Sequence, residues 1–313
     1  MKAPRRMAKG VGRVLAAPVL VVSVWLANLL VALPAAVVVG EGLGDAIGKS
    51  EAGERLLEGF DFGWHGETKA EAGALVGTLD PARLVTGGWI DNLDRWWSGQ
   101  LFQHSAPILA FGALFALVWI LLSGGVLSHL HRPPRRFTLA GFAGDGAGFF
   151  FRFFRLALLS APLYYGIFRL ARWLFARIER ATMDLTVERT LLIYYLLAAA
   201  LVVLLVVTVK MIFDYARVAI VVAERRSALL AVFAGLGFVL RRPLATYGLL
   251  ALFGLAAIAL VAARQLVVPG VDQDSWLAIT GVFLLGQAFL VARLVLRLGL
   301  LAGELTLYEE EKR

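Results

Sequence analysis

The stretch TLLIYYLLAAALVVLLVVTVKMIFDYAR, residues 190–217, decides what kind of chain this is. No charge interrupts it between Arg189 and Lys210, and an uncharged run of that length matches the ~20 residues a helix needs to cross about 30 Å of hydrocarbon. Lys210, Asp214 and Arg217 then follow at steps of four and three, so one face of the same helix ends in base, acid and base. In lipid only helices and closed barrels pair all their own backbone groups, and the period-two alternation of barrel strands is absent. The stretch is therefore read as a membrane helix with a charged end.

Working outward, residues 14–40, 106–127, 153–175, 246–263 and 276–295 repeat the pattern, with 190–213 as the fourth of six spans. The spacing predicts an all-α polytopic membrane protein, a single membrane domain over residues 1–313 with a short helical exported insertion at 41–105. Composition agrees. Hydrophobic residues make up 59% of the 313 and charged residues 17%, against about a quarter in soluble domains, and the mean hydropathy is +0.76. The first apolar run is too long for the ~7–15-residue core of a cleaved signal peptide, so an uncleaved first helix is expected behind the basic leader of Lys2, Arg5, Arg6, Lys9 and Arg13. There is no cysteine to form a disulfide or act as a nucleophile.

Charge placement supplies an orientation. If the leader lies inside, the pieces on its side hold twenty of the 31 lysines and arginines, as cytoplasmic segments do. The insertion at 41–105 carries eleven acids and five bases. That predicts a bacterial inner-membrane location with both termini cytoplasmic, although Arg169, Arg172, Arg177, Arg180 and Arg189 fall on the other side. The net charge of +8 then reflects topology, and nucleic acid is not an expected partner. Trp64, Trp89, Trp96, Trp97, Trp173 and Trp276 sit where an interfacial belt would place them. Within the insertion, Ser50 and the Asp80-Pro81 pair read as helix starts, giving short helices at 51–59 and 81–101.

Sequence motifs for chemistry are weak. Gly42 to Ser50 ends like a phosphate-binding loop, but the required early glycine is Leu43. Gly144, Gly146 and Gly148 read as a flexible turn. His129 and His131, two apart, cannot share a helix face and read as a headgroup-facing hinge beside Arg132. No catalytic ordering of Ser, His and Asp and no His-Glu-x-x-His appears, so no enzyme, cofactor or metal is expected.

The charges at span ends are more informative. Arg293, Arg297 and Glu304 share a face of the last helix. Asp214 is thus placed to bridge Arg293 or Arg297 and lock the fourth span against the sixth; snorkelling of the arginines toward lipid phosphates is the alternative. Arg152 and Arg155, in the Phe149–Arg155 cluster, and Arg169 and Arg172 on the third span are candidate contacts for anionic lipid or substrate. Asn28 and Gln287 are candidate polar links between helices, and Gly299-x-x-x-Gly303 fits a close helix approach. The fourth helix is expected to continue to Leu240 with a break near Gly235 or Gly237.

The segment with Asp214, Arg217, Glu224, Arg225, Arg226 and Ser227, followed by Arg241, Arg242 and Pro243, resembles uncharacterised bacterial six-helix integral membrane families. These are akin to the membrane domain fused to some glycerophosphodiester phosphodiesterases. The resemblance covers the spacing of spans two to six. It implies an architecture in which a long fourth helix enters the cytoplasm, and it carries no active site, because no phosphodiesterase segment accompanies it. The function expected is a non-enzymatic scaffold or accessory subunit organising lipids, through anionic headgroups, or a membrane-protein partner reached by the exported loop. The alternative is a permease for an anionic or amphiphilic small molecule, using Arg169, Arg172, Arg293 and Arg297.

Overall fold

The computed structural model describes residues 2–48, 61–71, 106–133, 136–182, 188–267 and 275–312, and every regular element among them is an α-helix. In chain order these are α1 (Lys2–Leu15), α2 (Pro18–Gly48), α3 (Phe62–Glu71), α4 (Ala106–His131), α5 (Leu139–Ala181), α6 (Glu188–Ala223), α7 (Ala228–Arg241), α8 (Pro243–Val267) and α9 (Trp276–Lys312). Six of them, α2, α4, α5, α6, α8 and α9, are long and apolar enough to cross a membrane. Their large side chains face outward: only 11% of the most apolar window of α6 is buried, leaving Leu192, Leu196, Leu197 and Val203 exposed. In water a continuous apolar surface of that kind would drive association, whereas in a bilayer it is the wetted side. The chain is an all-α polytopic membrane protein.

Several boundaries depart from the sequence expectation, each for a local reason. The first apolar run turns at residues 16 and 17, so the basic leader is a separate helix and α2 starts at Pro18. Proline suits that place, because the first turn of a helix has no use for its missing N–H. The expected glycine-rich turn is not a turn. Gly144, Gly146 and Gly148 lie inside the 43-residue α5, where Gly146 lets α5 touch α4: a Cβ there would come within 2.6 Å of the Leu121 carbonyl oxygen. Gly125 on α4 has the same role toward Phe142. Backbone contact between helices overrides the low helix propensity of glycine.

The break expected near Gly235 or Gly237 comes earlier. Glu224 has a φ of 49°, and the Arg225 N–H donates to the Ile220 carbonyl at 3.2 Å, which is the six-to-one closure of a left-handed helix end. Ser227 then starts α7, its hydroxyl accepting from the Leu230 N–H. Gly235 instead seats α7 on α6, since an added Cβ would collide with the Ile212 carbonyl. Aromatic contacts extend the seam, with ring centroids 4.7 Å apart for Tyr215 and Phe238 and 5.0 Å for Phe238 and Tyr308.

The chain forms two compact units. The first holds Met1–Trp25, Val118–Ile167 and Leu185–Arg313, and the second holds Leu26–Leu117 and Phe168–Asp184. In the first, α1 packs on α8 and α9, and α6 packs on α7 and α9. The Trp25 indole donates to the Gln287 amide oxygen at 3.2 Å, and the Thr208 and Tyr247 hydroxyls pair, so Gln287 does link helices. The second unit contains α3, where Asp61 caps the first turn by accepting from the N–H groups of Gly63 and Trp64. The helices expected at 51–59 and 81–101 lie outside the described residues, and α3 was not foreseen.

Two glycines of α7 separate packing from propensity. Gly235→Ala should lower the melting temperature in detergent, costing about 1–3 kcal/mol for the overpacked contact. Gly237 has open space around it, so Gly237→Ala should be neutral or stabilise by about 0.5–1 kcal/mol. Equal melting shifts for the two variants would contradict the placement of α7.

Candidate functional site

Two groups of charges in the first unit stand out. The first is on α6 and α9. Asp214 is buried, and its two carboxylate oxygens take separate partners on their own helix: Oδ2 accepts from Lys210 Nζ and Oδ1 from Arg217 Nη2. The i,i+4 and i,i+3 spacing read from sequence therefore forms as ion pairs. The bridge expected from Asp214 to Arg293 or Arg297 is not how its oxygens are used. Arg297 places its guanidinium over the Trp119 ring, 3.3 Å from the centroid, and so holds α9 to α4 by a cation–π contact. It still lies within electrostatic range of Asp214. Arg293 is exposed on the same helix.

Beside this group, Glu304 is only 2% exposed, and among the described residues its Oε2 has no hydrogen-bond partner; neither has the Tyr215 hydroxyl, also buried. Helix geometry places Asp214 about 36 Å along from Thr190 and Glu304 about 42 Å along from Trp276. Both distances exceed the ~30 Å of hydrocarbon. Measured along each helix from its first apolar residues, both acids fall past the length that hydrocarbon covers.

The second group joins the first helix to the last. Gly10 on α1 meets Gly299 and Gly303 on α9 so closely that a Cβ at residue 10 would lie 2.5 Å from the Gly299 carbonyl oxygen. The Gly299-x-x-x-Gly303 pair thus does serve a close approach. At that separation the cations of α1 reach the glutamates in the last turns of α9. Arg6 Nε donates to Glu310 at 2.9 Å and its Nη2 reaches Glu311 at 3.5 Å. Lys9 donates to Glu310 at 2.9 Å and Arg13 to Glu309 at 3.1 Å. His131 Nδ1 lies 2.8 Å from the other oxygen of Glu309, and Arg242 pairs with Glu311. The histidine read as a hinge has a carboxylate neighbour after all, brought in from the far end of the chain. Sequence reasoning passed over Glu309, Glu310 and Glu311, though an acidic run there opposite a basic leader was the available signal.

The remaining candidates are dispersed. Arg152 is half-buried with its guanidinium over the Phe149 ring at 5.5 Å, and Arg155 is exposed. In the second unit Arg169 is exposed and Arg172 lies over Phe168 at 5.9 Å. Compared with known proteins, the chain matches no family model, no curated protein and no solved structure.

Neighbouring acids should respond differently to removal of charge. Asp214→Asn leaves two cations facing an amide and should cost about 3–5 kcal/mol of stability. Among the described residues Glu304 makes no ion pair, so Glu304→Gln should shift the detergent melting temperature little; comparable losses for the two would refute this assignment of partners. In the clasp, the Arg6 side chain is 8% exposed and that of Lys9 47%. Arg6→Ala should cost about 2 kcal/mol through its charge-assisted bonds, and Lys9→Ala under about 1 kcal/mol, both read by thermal unfolding at low and high salt.

Proposed function

We propose that the protein is a non-enzymatic scaffold or accessory subunit of the bacterial inner membrane, its termini cytoplasmic, which organises anionic lipids or a partner protein. The observation that carries this reading is where the charge stands. Counted along their helices, Asp214, Arg217 and Glu304 lie beyond the ~30 Å that hydrocarbon covers and Lys210 at its edge, and Arg6, Lys9 and Arg13 are held on the last turns of α9. These groups balance base against acid, which leaves the exposed Arg136, Arg226 and Arg241 to face phosphate headgroups, and a cytoplasmic leaflet rich in anionic lipid attracts such cations. The outer faces of the spans carry many exposed aliphatic side chains, Leu192, Leu196, Leu197 and Val203 of α6 among them, as an anchor or assembly subunit requires.

A permease is the second reading, and one observation favours it: Glu304 and Tyr215 are buried with unpaired polar atoms, as groups that meet a solute are. Transport sites sit near the bilayer midplane on interrupted helices. Here the acids stand at a boundary on helices that run through, which favours the scaffold.

Purification of the natively expressed protein in a mild detergent, with mass spectrometry of everything retained, tests the choice. A stoichiometric protein companion or a reproducible complement of anionic lipid is expected. A protein that retains neither, yet takes up a small anion when reconstituted in liposomes, would transfer the assignment to the permease.

A further inference from the structure

A cleft of about 790 Å³ opens in the first unit where α1 turns into α2, beside the ends of α4 and α9. Its polar wall is unbalanced. Arg13, His131 and Lys312 line it against one acid, Glu309. Both Glu309 oxygens are already used, one by Arg13 Nη2 and the other by His131 Nδ1. The second arginine nitrogen, Nη1, is buried and has no hydrogen-bond partner among the described residues, which is a costly state for a guanidinium donor. The Lys312 ammonium lies 5.1 Å from the Tyr308 ring centroid and makes no ion pair among the described residues. The cleft therefore presents cationic donors in excess of its own acceptors.

Its other wall is apolar. Val19 and Leu20 belong to the first turn of α2, the helix that enters the membrane here. Val19 and Val22, one turn apart, are 53% and 51% exposed, so an apolar track leaves the cationic end in the direction of the span. Phe137 closes the opposite side with its ring 5.5 Å from that of His129. Cations at one end and aliphatic surface at the other fit a molecule of the same two parts.

We propose that this cleft binds an anionic amphiphile through a phosphate-bearing headgroup. The Lys312 ammonium and the exposed part of the Arg13 guanidinium take phosphate oxygens, Glu309 and His131 hold that guanidinium in place, and the acyl chain lies along Val19 and Val22. Planar guanidinium and phosphate oxygens make strong charge-assisted hydrogen bonds, and the aliphatic contact separates an amphiphile from a free anion. The proposal rests on the scaffold reading only in placing this end at headgroup depth.

The test uses the full chain in dodecyl maltoside, titrated with dihexanoylphosphatidylglycerol and read by calorimetry and melting temperature. Lys312→Gln disturbs no ion pair among the described residues, and Val19→Trp fills the cleft from an exposed position. Each should keep the ligand-free melting temperature and weaken binding by about tenfold or more. Dihexanoylphosphatidylcholine, whose ammonium cancels the headgroup charge, should bind at least about tenfold more weakly than the glycerol lipid. Unchanged affinity in both variants, equal affinity for the choline lipid, or inorganic phosphate binding as tightly as the amphiphile would each overturn the proposal. Retention of lipid or a companion on native purification, together with any of those results, would leave the scaffold reading standing and remove only this cleft.

Discussion

The contact on which the rest depends is backbone against backbone, where Gly10 of the first helix lies on Gly299 and Gly303 of the last. Any side chain at that crossing would push α1 away from α9 by ångströms, and the ion pairs above it have reach for only the close arrangement. Those glycines also admit neighbours from other helices. A Cβ at residue 299 would meet Phe253 at 3.1 Å and Val11 at 3.2 Å, so α1, α8 and α9 share one seam. Apolar contacts set the separation, and the charges set the register along it. Arg6, Lys9 and Arg13, spaced by three and four, meet the glutamates at 309–311 only if α1 lies along α9 in one position.

This arrangement decides where charge is spent and where it is left over. Asp214 is fully engaged within its own helix, and Arg6 is neutralised twice by the end of α9. Such pairs fix structure, because a buried charge is tolerable only when its partners are in place. The unspent groups are fewer and more telling. Arg13 keeps a buried nitrogen unpaired, Glu304 a carboxylate oxygen and Tyr215 a hydroxyl. The arginine opens onto a cleft with an aliphatic wall, which gives it a chemical partner to seek. The acid and the phenol lie in the packed interior among α6, α7 and α9, and they belong to the architecture of that layer.

Much of this was legible in the chain and some of it was not, for physical reasons. Long apolar runs can only be helices in lipid, so the all-α membrane fold and the six spans followed from hydropathy. The same reasoning failed for glycines. Gly144, Gly146, Gly148, Gly235 and Gly237 looked like breaks because propensity is a local quantity, while Gly146 and Gly235 serve contacts with α4 and α6 that no local window contains. The actual break fell on Glu224, which no rule for left-handed positions selects from sequence. Among the charged residues, Lys210, Asp214 and Arg217 were legible because their interaction is local. The partnership of Arg13, His131 and Glu309 joins three distant segments, and a single sequence offers only charge complementarity between its two ends as a hint.

The most direct test of the account is tryptic cleavage of the leader in the purified protein, followed by mass spectrometry, for the wild type and for Gly10→Leu and Gly12→Leu. Gly10 is in backbone contact with α9, and nothing lies within 4 Å of a Cβ at Gly12. The account predicts that Arg5, Arg6, Lys9 and Arg13 resist trypsin in the wild type and in Gly12→Leu, and are cut rapidly in Gly10→Leu because α1 has been lifted from α9. Rapid cutting in all three, or protection of Gly10→Leu equal to the wild type, would contradict it.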